Sequence, residues 1–345
     1  MNKKTKVFPK LLKWLFVALC AVFVYFAYIL FAPNFAYKGI EKQYLCIPDS
    51  TSENKFYQQI ENEFKVHNMS ALKQVAALLQ YQKIRSGRYF VTKGMSNFQF
   101  VRMLRSGRQT PVQLKFNNIR TKEQLSGRLS AQLMADSTLI LNLLNDSVFL
   151  SHSGLNPNNS ISIFIPNTYE VFWNVNAQDI FKRMKKEYDI FWTDERKNKA
   201  DSIPLTPLEV STLASIVEEE TNEKFERPMV AGLYINRLKL NMPLQADPTL
   251  KFAAGNFALR RITGEQIKLN SPYNTYKNTG LPPGPIRIAT PEGIDAVLNF
   301  KQHKYIYMCA KETLNGEHNF AENYKEHQLN ARKYQKALND RKIFK

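Results

Sequence analysis

The sequence predicts an α+β protein with a single N-terminal transmembrane helix, a small α+β subdomain and a larger α+β domain. Three observations predict this arrangement: a charge-free apolar stretch near the start, short alternating strand and helix patterns after it, and a longer region of capped helices separated by polar loops. The 345 residues suit about two domains. A content of 44% hydrophobic and 23% charged residues is typical of folded chains.

The charge balance and the cysteine content limit the classes of function. There are 48 Lys and Arg against 30 Asp and Glu, a net charge of +18, which favours an anionic partner such as nucleic acid, a membrane surface or an acidic polymer. Three cysteines without a CxxC pair indicate neither a disulfide scaffold nor a zinc site, and five scattered histidines disfavour a metal centre. Nucleotide-binding, serine-hydrolase and zinc-protease motifs are absent, so we expect no cofactor and no metal.

The first segment predicts a membrane anchor. Residues 1–13 contain five lysines and no acid, and residues 14–32 carry no charge. Nineteen helical residues span about 28 Å, close to the roughly 30 Å of a bilayer's hydrocarbon core. Because the lysines precede the span, we expect the N-terminus in the cytoplasm and everything after residue 33 outside.

Two other interpretations of this segment remain open: a cleaved signal peptide and the buried helix of a soluble protein. The apolar stretch is long for a signal peptide and no clear cleavage site follows it. The exported part keeps 43 basic and 30 acidic residues. That location makes nucleic acid a poor partner and favours an anionic cell-wall polymer or a lipid headgroup.

Residues 33–43 suggest a linker, and residues 44–116 a small α+β subdomain. Three short runs predict strands: YLCIP, RYFV and VQLKF. Between them we expect one helix capped by Ser70 and a second helix that begins after Ser96 and stops at Gly107.

Residues 117–345 are expected to form the larger domain. Thr121 and Asn176 each precede a helical pattern as N-caps. The clearest helix starts at Thr206, where an N-cap Thr, Pro at N1 and Glu at N3 combine, and runs to about Thr221.

This helix ends in three consecutive glutamates. Glu218 shares a stripe with the small residues Ala214 and Ser215, which predicts a carboxyl at the floor of a cleft. Glu219 is expected to be solvated. Glu220 shares the apolar stripe, and we leave it as a candidate for a buried structural carboxylate.

The segments after this helix are rich in Asn, Tyr, Gln and Gly. They include ERPMVAGLYINRL, MPLQADPT, SPYNTY, TGLPPGP and GEHNF. Loops of this kind build sites on a rigid scaffold. Their amides, hydroxyls and aromatic faces suit the hydroxyl groups and rings of sugars.

Several of these blocks resemble the YceG-like (MltG) endolytic murein transglycosylases. The blocks are PNTYEVFW, ASIVEEET, LQADPT, PYNTY, GLPPGPI and GEHNF followed by Glu326-His327, in that order. The resemblance implies a LysM-like subdomain at 44–116 and a catalytic domain at 117–345. It implies one catalytic glutamate, which the first Glu of the block places at Glu218. The sequence differs from many members by having Glu219 in place of Lys.

The resemblance also implies a reaction. The glutamate protonates the oxygen between MurNAc and GlcNAc, then accepts the proton of the MurNAc C6 hydroxyl as a 1,6-anhydro ring closes. Such an acid needs a raised pKa. Nascent peptidoglycan strands would be the substrate, and the bacterial inner membrane beside the peptidoglycan synthases the location.

The remaining site residues follow from the same blocks. The expected substrate-binding residues are Gln245, Asp247, Tyr273, Asn274, Tyr276 and His318. For each, a structural role in a turn, loop or cap is the alternative. Arg227, Asn236 and Arg237 are expected to form structural pairs. A hydrolytic muramidase and a non-catalytic peptidoglycan-binding scaffold remain as other functions.

Overall fold

The computed structural model describes residues 7–39, 43–259, 261–341 and 343, with side chains from Lys10 onward. The chain divides into two compact units. The first unit runs to Leu114 and also contains Gln132–Met134 and Tyr169–Val175, and the second unit contains the remainder. The sequence analysis expected this division after residue 116. Residues 1–6 of the predicted basic tail lie outside the described residues.

The first unit is a mixture of helices and short antiparallel strand pairs. Its elements are α1 (Val7–Phe31), β1 (Phe35–Tyr37), β2 (Gln43–Ile47), α2 (Glu53–Glu63), β3 (Phe64–Val66), α3 (Met69–Leu78), β4 (Gly87–Val91), α4 (Asn97–Ser106) and β5 (Val112–Lys115). Strand β1 pairs with β3 and β2 pairs with β4, both antiparallel. Their inward side chains form one apolar core with α2, α3 and α4.

Helix α1 is long and apolar enough to cross a membrane. The segment Lys10–Phe31 contains 22 residues with a mean hydropathy of 2.5, and only 6% of its apolar stretch is buried. The helix starts before the predicted span of 14–32, and it includes Lys10 and Lys13 of the predicted basic tail. It ends at Phe31, one residue before the predicted end.

The predicted linker at 33–43 is wrong for the part that the structure describes. Asn34 is 3% exposed, and its side chain donates to the carbonyl oxygen of Asn68 at 3.1 Å. Phe35 is 1% exposed and stacks on Phe100 with the ring centroids 4.3 Å apart. Strand β1 has only three residues, too few for its pattern to be recognised. Residues 40–42 lie outside the described residues.

The other predictions for this unit are mostly confirmed. All three predicted strands form, as β2, β4 and β5. Helix α4 has the capping box at Ser96 and ends at Gly107 with φ of 68°. The predicted cap at Ser70 is wrong, because Asn68 accepts the first amide hydrogen bond of α3. Helix α2 and strand β3 were not predicted.

The second unit is mainly helical. Its elements are α5 (Lys122–Ser130), α6 (Ser137–Asn145), α7 (Ser147–Ser151), α8 (Ala177–Phe191), α9 (Asp194–Ser202), α10 (Pro207–Glu220), α11 (Arg227–Lys239), α12 (Asp247–Ala253), α13 (Gly264–Ile267), α14 (Pro291–Leu298), β7 (Tyr307–Ala310), β8 (His318–Ala321) and α15 (Tyr324–Asp340). Strand β6 (Thr168–Val171) pairs with β5 and lies mostly in the first unit.

Helix α10 is central to the second unit. It packs against α11 and α14, and its residues 210–218 are all buried. The predicted caps at Thr121, Asn176 and Thr206 are confirmed by side-chain hydrogen bonds. Strands β7 and β8 form an antiparallel hairpin against which α15 packs. The three cysteines are free thiols.

The buried position of Phe35 generates a stability prediction. Because Phe35 lies in the core, Phe35→Ala should destabilise the first unit by about 3–5 kcal/mol. Urea unfolding of the full chain in detergent, followed by limited proteolysis, measures this change. Phe172→Ala is the control, since that side chain is 54% exposed and belongs to the same unit. Equal stability of the two variants would contradict the core position of Phe35 and favour a linker at residues 33–39.

Candidate active site

A cavity of about 390 Å³ opens in the second unit beside the C-terminal end of α10. Its walls come from α10, α11, the start of α12, the hairpin β7–β8 and α15. The lining residues are Glu220, Leu233, Tyr234, Arg237, Leu244, Gln245, Asp247, Tyr276, Tyr307, Met308, Cys309, Ala310, His318, Tyr324 and His327. The walls therefore combine carboxyl, guanidinium, imidazole and phenol groups, the mixture of donors, acceptors and ring faces that a sugar requires.

Glu220 is the carboxyl that α10 presents to this cavity. It is the last residue of the helix, and the Tyr234 hydroxyl donates to its Oε1 at 2.8 Å. Glu220 is half-buried: it lines the cavity, and the protein surrounds the remainder of its side chain. The pKa of Glu220 is raised to about 7, mainly by burial; the Tyr234 hydrogen bond opposes this shift, and the Asp247 charge adds to it. A carboxylic acid with this pKa can donate a proton near neutral pH.

Glu218 does not line this cavity, and in the part of the chain that the structure describes it is enclosed by protein instead of lying at the floor of a cleft. Its side chain is 1% exposed and forms an ion pair with Arg227 at 3.0 Å. Thr290, at the N-cap of α14, donates to the Glu218 carboxylate from both its backbone amide and its hydroxyl. A Cβ at Gly293 would lie 2.5 Å from the carboxyl carbon of Glu218, so only glycine leaves room for it. Glu218 thus joins α10, α11 and α14 and does not line the cavity.

Glu219 is also different from the expectation that it is solvated. Its side chain is 16% exposed and accepts from Arg120 and from Arg287, each at about 3 Å. Arg120 immediately precedes the N-cap of α5, and Arg287 precedes α14. Glu219 therefore holds two segments of the second unit together.

Gln245, Asp247 and Tyr276 line the cavity as predicted from sequence. Tyr276 donates its hydroxyl hydrogen bond to Asp247 Oδ1 at 2.5 Å. Gln245 has a positive φ of 52° and receives a bond from Arg237 on its side-chain oxygen at 3.3 Å. These contacts fix the orientation of the Asp247 and Gln245 side chains at the wall of the cavity.

Arg237 holds the segment that carries these residues. It is 6% exposed, and its guanidinium donates to the carbonyl oxygens of Leu244 at 2.8 Å and of Ile306 at 2.7 Å. Its predicted structural role is thus supported, although its partners are carbonyl oxygens. Arg237 also lowers the pKa of Glu220, so it opposes part of the effect of burial.

His318 also lines the cavity and is oriented by a buried carboxylate. Glu226 is 5% exposed and accepts from the backbone amide of His318 at 2.9 Å and from its Nδ1 at 3.0 Å. With Nδ1 engaged, Nε2 is the nitrogen left to face the cavity. Glu226 was not among the predicted site residues.

Tyr273 and Asn274 are not brought to the cavity. Asn274 is fully buried, and its amide donates to the carbonyl oxygens of Ile267 and Leu269 at 2.9 and 2.8 Å. Tyr273 packs on Phe252 with the ring centroids 4.7 Å apart, and burial raises the pKa of Tyr273 to about 12. In this structure both residues fix their own loop, which is the alternative that the sequence left open.

Comparison with known proteins identifies the family. The YceG-like family matches residues 45–333. The chain belongs to the YceG-like family. It is 38% identical over 172 residues, 49% of its length, to the endolytic murein transglycosylase of Bacillus subtilis strain 168. It is 30% identical over 174 residues, 48% of its length, to the endolytic murein transglycosylase of Streptococcus pneumoniae.

This YceG-like chain spans less than half the length of those two relatives. The matched regions cover 46% of the Bacillus protein and 30% of the Streptococcus protein. The crystal structure of a YceG-like protein from Listeria monocytogenes superimposes with a TM-score of 0.55 at 26% identity. That comparison covers 84% of this chain and 99% of the Listeria chain.

The cavity positions of several residues of this YceG-like chain were not predicted from the sequence. Tyr234 and Arg237 are three residues apart on α11, a spacing that places two side chains on one helix face and could have indicated their shared position. His327 stacks on Tyr307 with the ring centroids 5.3 Å apart, and burial lowers the pKa of His327. The pairing of α15 with β7 that brings them together left no local sign in the sequence.

The contrast between Glu218 and Glu220 generates a second stability prediction. Glu218→Gln leaves the Arg227 cation without its buried carboxylate and should destabilise the second unit by about 3–5 kcal/mol. Glu220→Gln should instead stabilise the second unit at neutral pH. The folded pKa of Glu220 exceeds the ordinary value of 4.5, so the folded state holds the proton more tightly between pH 4.5 and about 7.

Wild-type stability should therefore fall relative to Glu220→Gln as the pH rises through that window, by up to roughly 3 kcal/mol for the shift from 4.5 to about 7. Urea unfolding of the wild type, Glu218→Gln and Glu220→Gln at pH 4.5 and pH 8 measures these differences in the free energy of unfolding. Glu195→Gln is the matched control, because that side chain is 77% exposed. A Glu218→Gln variant as stable as this control would contradict the role given to the ion pair.

Proposed function

We propose that this chain is an endolytic peptidoglycan lytic transglycosylase that uses Glu220 as its one acid and base. The observation that carries the proposal is a cavity-facing carboxyl whose pKa is raised to about 7. The family and the names of the Bacillus and Streptococcus relatives support the choice of substrate, the β-1,4 bond between MurNAc and GlcNAc. Glu218, the residue first expected in this role, is enclosed by Arg227 and Thr290.

The proposed reaction needs one proton that is given and then recovered. Protonated Glu220 donates to the glycosidic oxygen, the C1–oxygen bond breaks, and the GlcNAc hydroxyl leaves. The C6 hydroxyl of MurNAc then attacks C1 and passes its proton to the Glu220 carboxylate, which closes the 1,6-anhydro ring. No water is consumed, and Glu220 ends the cycle protonated.

Neighbouring residues assist both states of Glu220. While it is protonated, burial of the carboxyl favours the neutral form. Once it has donated, the Tyr234 hydroxyl and the Arg237 charge stabilise the carboxylate. The Asp247 carboxylate, held by Tyr276, lies in the same cavity and favours the positive charge that develops at C1.

A hydrolytic muramidase is the second candidate, because Asp247 provides a second carboxylate in the cavity. Hydrolases of glycosidic bonds use two carboxyl groups, one as acid and one as nucleophile or base. The hydrogen bond from Tyr276 disfavours this role for Asp247, since it ties up one of the two carboxylate oxygens.

The location is part of the proposal. We propose that α1 anchors the chain in the bacterial inner membrane, with the N-terminus in the cytoplasm and both units outside. The charge-free span after a lysine-rich start supports this orientation. We further propose that residues 44–116 form the LysM-like subdomain and that the chain acts on nascent strands beside the peptidoglycan synthases.

Substitution of Glu220 tests the catalytic assignment. Glu220→Gln should fold normally and lose activity on purified sacculi by on the order of 10²–10⁴-fold, because the amide can neither donate nor accept the proton. Glu195→Gln should keep full activity, because that side chain is 77% exposed and does not line the cavity. A fully active Glu220→Gln enzyme would sink the assignment, and a fold-competent but inactive wild type would favour the scaffold.

The product ends separate the two enzymatic candidates. The wild type should release 1,6-anhydro-MurNAc ends, one water lighter by mass than the hydrolytic product. Reducing MurNAc ends, together with complete loss of activity in Asp247→Asn, would instead favour the muramidase. Activity should also decline above pH about 7, tenfold per unit, as Glu220 loses its proton.

A reporter fusion tests the topology. An enzyme that is active only outside the cytoplasm, fused after Lys345, should be active in cells, since the basic tail is held inside. The fused protein should stay with the membrane fraction after a carbonate wash. An inactive reporter, or a soluble protein that begins near residue 36, would refute the anchor or its orientation.

A further inference from the structure

The last two turns of α1 are built into the first unit. The Asn97 side chain donates to the carbonyl oxygen of Ile29 at 2.9 Å, and Ile29 itself is 4% exposed. The Tyr25 hydroxyl donates to the side-chain oxygen of Gln74 on α3 at 2.7 Å. Because side chains of α3 and α4 hold α1 directly, the helix and the unit keep one geometry without a free segment between them.

These contacts fix how far the first unit lies from the end of the apolar span. From Tyr25 to Phe31 the helix rises about 9 Å. The 22 residues from Lys10 to Phe31 cover about 33 Å, close to the roughly 30 Å of the hydrocarbon core. When α1 fills the bilayer, the contact of α4 at Ile29 lies about 3 Å and the contact of α3 at Tyr25 about 9 Å before the end of the span, so both helices adjoin the membrane surface.

Moving the unit away from the membrane carries a cost. If the bilayer edge lay at Tyr25, 30 Å of hydrocarbon would need about 20 residues before it, and Lys10 and Lys13 would both enter the apolar region. Lysines inside a bilayer are unfavourable, although near the edge they reach the headgroups with their long side chains. The favourable position places α3 and α4 at the headgroups.

The charge of this part of the chain suits such a position. Between Lys65 and Leu114 the sequence has nine basic residues and no Asp or Glu. Those nine are Lys65, Lys73, Lys83, Arg85, Arg88, Lys93, Arg102, Arg105 and Arg108. None of them forms an ion pair within the described ranges. The segment thus presents positive charge that no carboxylate of the protein neutralises.

Apolar and basic side chains lie close together at the C-terminal end of α1. Phe31 packs on Phe98 with the ring centroids 5.4 Å apart, and the Arg102 guanidinium lies 5.9 Å from the Phe98 ring centre. Leu78, one helical turn after Gln74 on the same face of α3, is 54% exposed. Aromatic, apolar and basic groups beside a span are typical of the membrane interface.

We propose that this α3–α4 surface, formed by Lys73, Leu78, Phe98 and Arg102, binds the anionic phospholipid headgroups of the membrane that α1 spans. The inference rests on the proposed anchor and adds a second contact with the same bilayer. It assigns the basic charge of the first unit to lipid, in preference to the glycan. The reason is that the charge lies beside the span, where headgroups are always within reach.

A fluorescent label at Leu78 tests the surface in the full chain. The three cysteines are replaced by serine, and Leu78→Cys carries an environment-sensitive dye in nanodiscs of phosphatidylcholine with or without phosphatidylglycerol. With phosphatidylglycerol the dye should emit at shorter wavelength and be shielded from aqueous iodide. The control is Lys55→Cys on α2, an exposed position that should remain accessible. Equal accessibility at both positions would overturn the proposal.

Charge removal identifies the partner. With the dye at position 78, Lys73→Gln and Arg102→Gln should each lower the ratio of shielded to accessible dye by about fivefold in phosphatidylglycerol discs. Lys55→Gln should leave this ratio unchanged, and an equal effect of Lys55→Gln would contradict a specific surface. Shielding by soluble glycan fragments in phosphatidylcholine discs would assign the surface to glycan and overturn the lipid proposal.

Two further readouts separate the lipid-binding surface from the proposed membrane anchor and from the proposed catalytic function. Release of the chain by carbonate would refute the anchor and this surface together, whereas a retained chain with an accessible position 78 refutes the surface alone. Activity on soluble glycan should be unchanged in Lys73→Gln and Arg102→Gln, because neither residue lines the cavity.

Discussion

Helix α10 places three consecutive carboxyl groups among protein atoms, and the way each is neutralised organises the second unit. A buried charge needs a counter-charge, hydrogen bonds or a proton. Glu218 receives the Arg227 cation and two donors from Thr290. Glu219 receives two arginines. Among the described residues, Glu220 receives one hydroxyl hydrogen bond and no ion pair, and it therefore keeps its proton to about pH 7.

The three solutions follow from the turn of the helix. Successive residues point about 100° apart, so neighbouring carboxyls meet different elements. Glu218 meets the N-terminus of α14, where the helix dipole favours a negative charge. Glu220, at the last position of α10, meets the cavity. The two glutamates paired with arginines join elements of the second unit, whereas Glu220 faces the cavity with a hydrogen bond from Tyr234.

The sequence predicted the local parts of this arrangement and missed the distant ones. The helix, its Thr206 cap and the triplet at its end depend on neighbouring residues, and these were predicted correctly. The choice among the glutamates depends on cations far along the chain, since Arg120 lies 99 residues before Glu219 and Arg287 lies 68 residues after it. Helical spacing alone does not contain that information, so Glu219 was wrongly expected to be solvated.

The same limit explains the linker. Strand β1 forms by pairing with β3. The two strands are separated in sequence by 15 residues and by the whole of α2, so no local pattern predicts their pairing. Once paired, β1 buries Phe35 and the polar side chain of Asn34, and the latter must be hydrogen-bonded because water is excluded. Asn97 accepts from Asn34 and donates to the carbonyl oxygen of Ile29, so one asparagine satisfies both the buried turn and the end of α1. Ordering the segment around Asn34 therefore also orders the end of α1, and the orientation of α1 within the first unit follows from a hydrogen-bond requirement.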